Sequence, residues 1–119
     1  MAATLTSTGF QDALDCKIIQ CAGVEDATVQ TNVAASSGTL YGVIVDSSNT
    51  TADVFVHVYD TKDTTASEII FRGKTLEIKT LQIPTGYAFD ELSFRVSASN
   101  TETDTTDFSG TVDVTLICS

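Results

Sequence analysis

Few residues in this chain have side chains able to do chemistry. His57 is the single histidine, Cys16, Cys21 and Cys118 are the thiols, and sixteen acidic side chains outnumber six basic ones. Nucleophilic catalysis needs a base held against its nucleophile. His57 lies mid-way along Asp53-Val54-Phe55-Val56-His57-Val58-Tyr59, on the face that carries Phe55 and Tyr59, and no Gly-x-Ser-x-Gly turn offers it a serine. The pattern predicts a core or interface histidine bonded to backbone or to a tyrosine. One histidine cannot build a multi-histidine metal site. Carboxylate pairs arise by chance among sixteen acids, and the chain has no Trp to help line a sugar-cleaving cleft. Asp104 and Asp107 in one acidic loop, and Asp60 and Asp63 in another, are oxygen donors of the kind calcium takes. Neither stretch has the alternating ligand spacing of a calcium loop, so both read as solvated loops. The expectation is no catalytic residue, no cofactor, no metal ligand and no enzymatic activity.

The cysteines add little. No Cys-x-x-Cys spacing occurs, which argues against zinc and thiol-redox sites. Cys16 and Cys21 are an odd number of residues apart, so on one strand they face opposite ways. Three buried, reduced thiols are expected, with a Cys118 bond to Cys16 or Cys21 open if the terminal strands are neighbours. The N-terminus, MAATLTSTGFQ, has neither a basic start nor an apolar run, and no secretory leader is expected. Asn49-Thr50-Thr51 is then a chance glycosylation motif.

The elements that must position these groups are strands. Val54, Val56 and Val58 alternate with Phe55, His57 and Tyr59, a β-branched and aromatic pattern suited to a strand packed on both sides. Leu40 to Val45 reads the same way, and Asp46-Ser47-Ser48-Asn49-Thr50-Thr51 between them is turn chemistry. A β-hairpin with a loop of about five or six residues is expected. Val112, Val114, Leu116 and Cys118 alternate with polar residues, as do Leu92, Phe94 and Val96 with Ser93, Arg95 and Ser97, so both read as half-buried strands. A parity change from Leu76 and Ile78 to Leu81 and Ile83 predicts a bulge near Lys79-Thr80, and Pro84 with Gly86 predicts the end of that strand. Ile69-Ile70-Phe71 reads as a brief or edge strand, Thr28 to Ala34 and Ala3 to Thr8 as weaker strands. Residues 10–14 read as a short helical turn before a strand at 16–21.

These elements amount to an all-β chain, an antiparallel β-sandwich that is jelly-roll-like, with about eight or nine strands and no crossover helices. A chain of 119 residues and 12.6 kDa fits one domain, 1–119, with residues 1–15 as an N-terminal arm in which Leu5 and Phe10 are the apolar anchors for a neighbour. The 20 Thr and 11 Ser suit wet strand faces and turns. The longest loop, SNTETDTTDFSG at 99–110, makes Glu102, Asp104 and Asp107 the candidate functional loop. A net charge of −10 lacks the basic surface that nucleic-acid binding rests on, and no apolar run reaches eighteen residues, so neither a nucleic acid nor a membrane is an expected partner. Lys62, Arg72, Lys74 and Lys79 cluster mid-chain. They read as protection of sheet edges before they read as a dock for an acidic neighbour.

Gly38-Thr39-Leu40-Tyr41-Gly42-Val43-Ile44-Val45-Asp46 followed by Ala52-Asp53-Val54-Phe55-Val56-His57-Val58-Tyr59-Asp60 resembles a pattern in small virion proteins of tailed bacteriophages. There a "G-x-L-x-x-x-x-x-D" strand leads through an Asn/Ser/Thr turn into "V-x-V-x-Y-D". Ile83-Pro84-Thr85-Gly86-Tyr87-Ala88-Phe89, the strand Leu92 to Val96, and the closing Val112, Val114 and Leu116 are also similar, so the resemblance spans residues 36–119. It implies a β-sandwich made in the host cytoplasm and carried on the capsid exterior, a decoration (cement) protein that binds the major capsid protein as a homotrimer. The alternative it implies is a receptor- or glycan-binding fibre or tail domain, which an exposed Tyr41, Tyr59 or Tyr87 would favour.

Overall fold

The computed structural model describes residues 4–10, 16–61, 69–101, 103 and 105–119, with the backbone alone for 4–10 and 16. Eight strands are β1 (Thr4–Phe10), β2 (Cys16–Val24), β3 (Gly38–Thr50), β4 (Val54–Asp60), β5 (Ile69–Gly73), β6 (Ile78–Phe89), β7 (Leu92–Ser97) and β8 (Gly110–Cys118). The described residues contain no helix. The expected helical turn at 10–14 lies, apart from residue 10, outside the described residues, and residue 10 is the last of β1.

The strands form two antiparallel sheets, one of order β1-β2-β8-β3-β6 and one of order β5-β4-β7. Gln30 adds a single antiparallel bridge to Phe94 on the free side of β7. With that bridge counted as a vestigial strand, β2-β8-β3-β6 faces Gln30-β7-β4-β5. This is the strand order of a jelly roll, with β1 as one added edge strand. The core lies between the sheets. Ile19, Leu40, Val43, Val45, Val114 and Leu116 from the larger sheet pack against Val54, Val56, Val58, Phe71, Leu92 and Phe94 from the smaller one. Burial of this many apolar side chains is the dominant favourable contribution to folding.

The expected hairpin does not form. β3 and β4 lie in different sheets, so the chain crosses the core at 51–53 instead of turning back beside itself. The turn chemistry at Asp46-Ser47-Ser48 is present and has a different effect. The Ser48 amide and hydroxyl both donate to Asp46 Oδ1, at 3.0 and 2.6 Å. The strand runs on to Thr50, and its register with β8 slips between Asp46 and Asn49. Local side-chain bonds therefore build a bulge within β3. Ser47 turns inward at the bulge, fully buried, and its hydroxyl donates to the Lys74 carbonyl at 2.5 Å and reaches the Glu77 carbonyl at 3.1 Å. The turn ahead of β6 is thereby tied to β3.

Four more expectations are corrected. The bulge in β6 is at 83–86, where the register with β3 slips between Gln82 and Tyr87, and not at Lys79-Thr80. The apparent parity change arose because Ile78 points outward, 65% exposed, while Leu81 and Ile83 pack against the core. Pro84 and Gly86 do not end the strand. β6 is an edge strand, where Pro is tolerated, and Gly86 takes φ +78°, where an added Cβ would lie 2.3 Å from Thr39. The segment 28–34 is reduced to the Gln30 bridge because Asn32 and Ala35 adopt φ of 51° and 61°, which breaks extension. β7 is buried on both faces, including Ser93, Arg95 and Ser97. β5 is the brief edge strand expected of Ile69 to Phe71.

Candidate functional site

Two surfaces compete as the working site, the outward faces of the two sheets. The outward face of the smaller sheet is set by register. Phe55 stands opposite Ser97, His57 opposite Arg95 and Tyr59 opposite Ser93. The alternation that sends Val54, Val56 and Val58 into the core sends this polar set outward, and yet it is buried: His57, Ser93 and Ser97 are fully covered and Arg95 is 2% exposed.

His57 Nε2 lies 2.7 Å from Ser97 Oγ and 2.8 Å from the Ser99 carbonyl. A carbonyl only accepts, so Nε2 carries the hydrogen in this arrangement. Ser97 Oγ also donates to the Ser99 carbonyl, at 2.8 Å. In this geometry the ring has no lone pair aimed at Ser97, and the pair is not poised for proton abstraction. On the other side Nδ1 faces the Arg95 guanidinium at 3.5 Å, and that guanidinium stacks 5.4 Å from the centre of the Tyr59 ring. Together these groups brace the start of the 98–109 loop against β4 and β7. Every buried side-chain polar atom among the described residues has a hydrogen-bond partner.

The acidic candidates are also engaged in the fold. Asp60 is buried, and its two oxygens accept from the amides of Asp90 and Glu91 at 2.9 and 3.0 Å, which fixes the turn between β6 and β7. Asp107 Oδ1 accepts from the Ala27 amide at 3.0 Å and ties its loop to the segment after β2. Asp63, Glu102 and Asp104 lie outside the described residues. No group of three or more metal-ligating side chains occurs among the described residues. Leu5 and Phe10 lie on β1, opposite Cys21 and Cys16 in register, and their side chains are outside the described set. β1 is thus paired within its own chain along one edge.

Cys21 is a free, buried thiol opposite Val114, whereas Cys118 stands opposite Lys17, so these two do not bond to each other. Burial pushes the Cys21 thiol up, and the Asp113 carboxylate adds to the effect. The side chain of Cys16, and with it the Cys16 alternative, lies outside the described residues. Of the four mid-chain cations, two lie on sheet edges, Lys74 lies in the turn after β5, and Lys62 is outside the described residues. Arg72 on edge strand β5 is paired with Asp53, and Lys79 on edge strand β6 lies 5.6 Å over the Phe71 ring.

The outward face of the larger sheet differs in kind. Ile18 stands beside Ile117, Ile44 beside Thr115, and Asp46 beside both Asp113 and Ile78. Tyr41, 46% exposed, and Ile78 are two of the three exposed large apolar side chains described. Two shallow clefts of roughly 400 Å³ each lie on this face, one floored by Ile44 and Ile78, the other by Tyr41, Pro84 and Ile117. Of the residues the resemblance made diagnostic, Tyr59 is buried, Tyr87 half-buried and Tyr41 exposed. Neither the family models nor the curated proteins nor the solved structures yield a match to this chain.

Proposed function

We propose that this chain is a structural protein of a virus particle, a decoration (cement) protein that binds the major capsid protein on the outside of a bacteriophage shell. On this reading it self-associates and performs no catalysis. The observation that carries the reading is how the surfaces are used. The polar side chains most able to do chemistry, His57, Arg95 and Ser97, are buried and engaged in bracing a loop, while the outward face of the larger sheet exposes Tyr41 and Ile78. A protein that works by contact needs a stiff sandwich and an adhesive face, and a jelly-roll-like fold is compatible with many functions. The bacteriophage capsid as the setting comes from the sequence resemblance over residues 36–119. The test is electron microscopy of particles assembled with and without the chain. The reading expects added density on the shell and fragile particles on removal. Intact shells with lost host adsorption would overturn it.

A second reading has one observation in its favour. Tyr41 presents an exposed aromatic ring beside Thr80 and Gln82, the combination of platform and polar groups that sugars use. This is the receptor- or glycan-binding fibre reading, and binding on a glycan array that disappears in Tyr41→Ala would select it.

A further inference from the structure

We infer that the outward face of the larger sheet pairs with the same face of a second copy of this chain, as a two-fold sheet-on-sheet dimer. The inference deepens the assembly reading by naming the partner of that face. Three observations carry it.

The first is apolar exposure. Ile18, Tyr41, Ile44, Ile78 and Ile117 are brought onto one face by the register of β2, β8, β3 and β6, and each is half-buried or exposed in the single chain. The second is charge. The chain carries −10, yet the outward positions of these four strands hold only two charges, Asp46 and Asp113, side by side at one end. The described cations on the larger sheet are directed elsewhere: Lys17 Nζ donates to the Ala34 carbonyl at 2.8 Å, and Lys79 lies over Phe71. A basic partner would gain little from a face whose centre is neutral. A second anionic copy can approach only through such a region. A two-fold axis running across the strands sends the two Asp46–Asp113 pairs to opposite ends, away from each other. The third is size. Four strands at about 4.8 Å spacing and roughly 30 Å long present about 580 Å², near the lower end of the roughly 600–1,000 Å² per partner of a standard interface. The expected unit is a dimer, where the bacteriophage resemblance implies a trimer.

Sedimentation equilibrium of the full chain tests this. The expected result is a monomer–dimer equilibrium that tightens as salt rises, because salt screens repulsion between the two anionic bodies while the contact itself is apolar. Ile44→Lys and, separately, Ile78→Lys should each weaken the dimer at least about tenfold while circular dichroism stays unchanged. Thr51→Lys, exposed in the crossover and with the same charge change, should leave it intact. A chain that stays monomeric, a trimer indifferent to both isoleucine changes, an association that salt weakens, or equal loss with Thr51→Lys would each overturn the inference. A monomer that still coats particles would overturn it, and with it the self-association in the proposed function, while sparing the capsid-binding reading. A dimer that never binds particles would do the reverse.

Discussion

The two sheets treat their outward faces in opposite ways. The smaller sheet turns His57, Arg95, Ser93 and Ser97 away from the core, and the chain covers them. The larger sheet turns Ile18, Ile44, Tyr41, Ile78 and Ile117 away from the core and leaves them half-buried or open. Covering a polar face costs desolvation that only a complete set of hydrogen bonds offsets, and that set is present among the described residues. Leaving an apolar face open forgoes roughly 25 cal/mol for each Å² kept wet. The contrast teaches that burial within one chain marks structure here, while apolar exposure marks the surface we propose for assembly.

Substitutions can break the contrast, and the largest effect belongs to the covered face. Arg95→Ala removes a buried guanidinium from between His57 and Tyr59 and should destabilise the chain by about 3 kcal/mol, read from urea unfolding. A loss below roughly 0.5 kcal/mol would mean that this cluster does not brace the loop. His57→Ala follows, at about 2 kcal/mol, because Ser97 and the Ser99 carbonyl lose a shared partner. Hydrogen exchange should quicken at Ala98, whose amide donates to Thr106 across the loop, ahead of the rest of β7. On the open face, Ile44→Lys should change the stability of the dilute monomer by about 1 kcal/mol or less.

The smallest effect concerns an exposed ion pair at the sheet edge. The Arg72 guanidinium, and after it the Thr75 amide, hold the Asp53 carboxyl below its usual range. A lowered folded-state value contributes stability that is fully present above the ordinary aspartate range near pH 4. It is lost as pH falls through the lower folded value. Asp53→Asn should flatten the acid side of the stability profile slightly and leave neutral pH nearly untouched. An unchanged acid limb would remove this pair from the edge of the smaller sheet.

The sequence was informative where alternation alone decides the outcome. The inward sets Val54, Val56, Val58 and Val112, Val114, Leu116 follow directly from period two, as does the all-β class. It was less informative wherever a contact from far along the chain decides. Asp46-Ser47-Ser48 has the same chemistry in a turn and in a bulge, and only pairing with β8 distinguishes them. The alternating polar residues of β7 look solvent-facing because nothing local shows that Ser99 will lie over His57. His57 itself read correctly as a histidine bonded to backbone, since its neighbours on the strand are apolar. The larger sheet's open face was hidden because Ile18, Ile44, Ile78 and Ile117 lie on four strands that only the topology brings together.

The most direct test of the central claim is hydroxyl-radical footprinting of Tyr41 against Tyr59 across protein concentration. Tyr59 should stay protected throughout. Tyr41 should react in dilute protein and become protected as the chain associates. Reactive Tyr59 in the dilute folded chain, or Tyr41 still reactive in the associated chain, would contradict the division of the molecule into a covered structural face and an open assembly face.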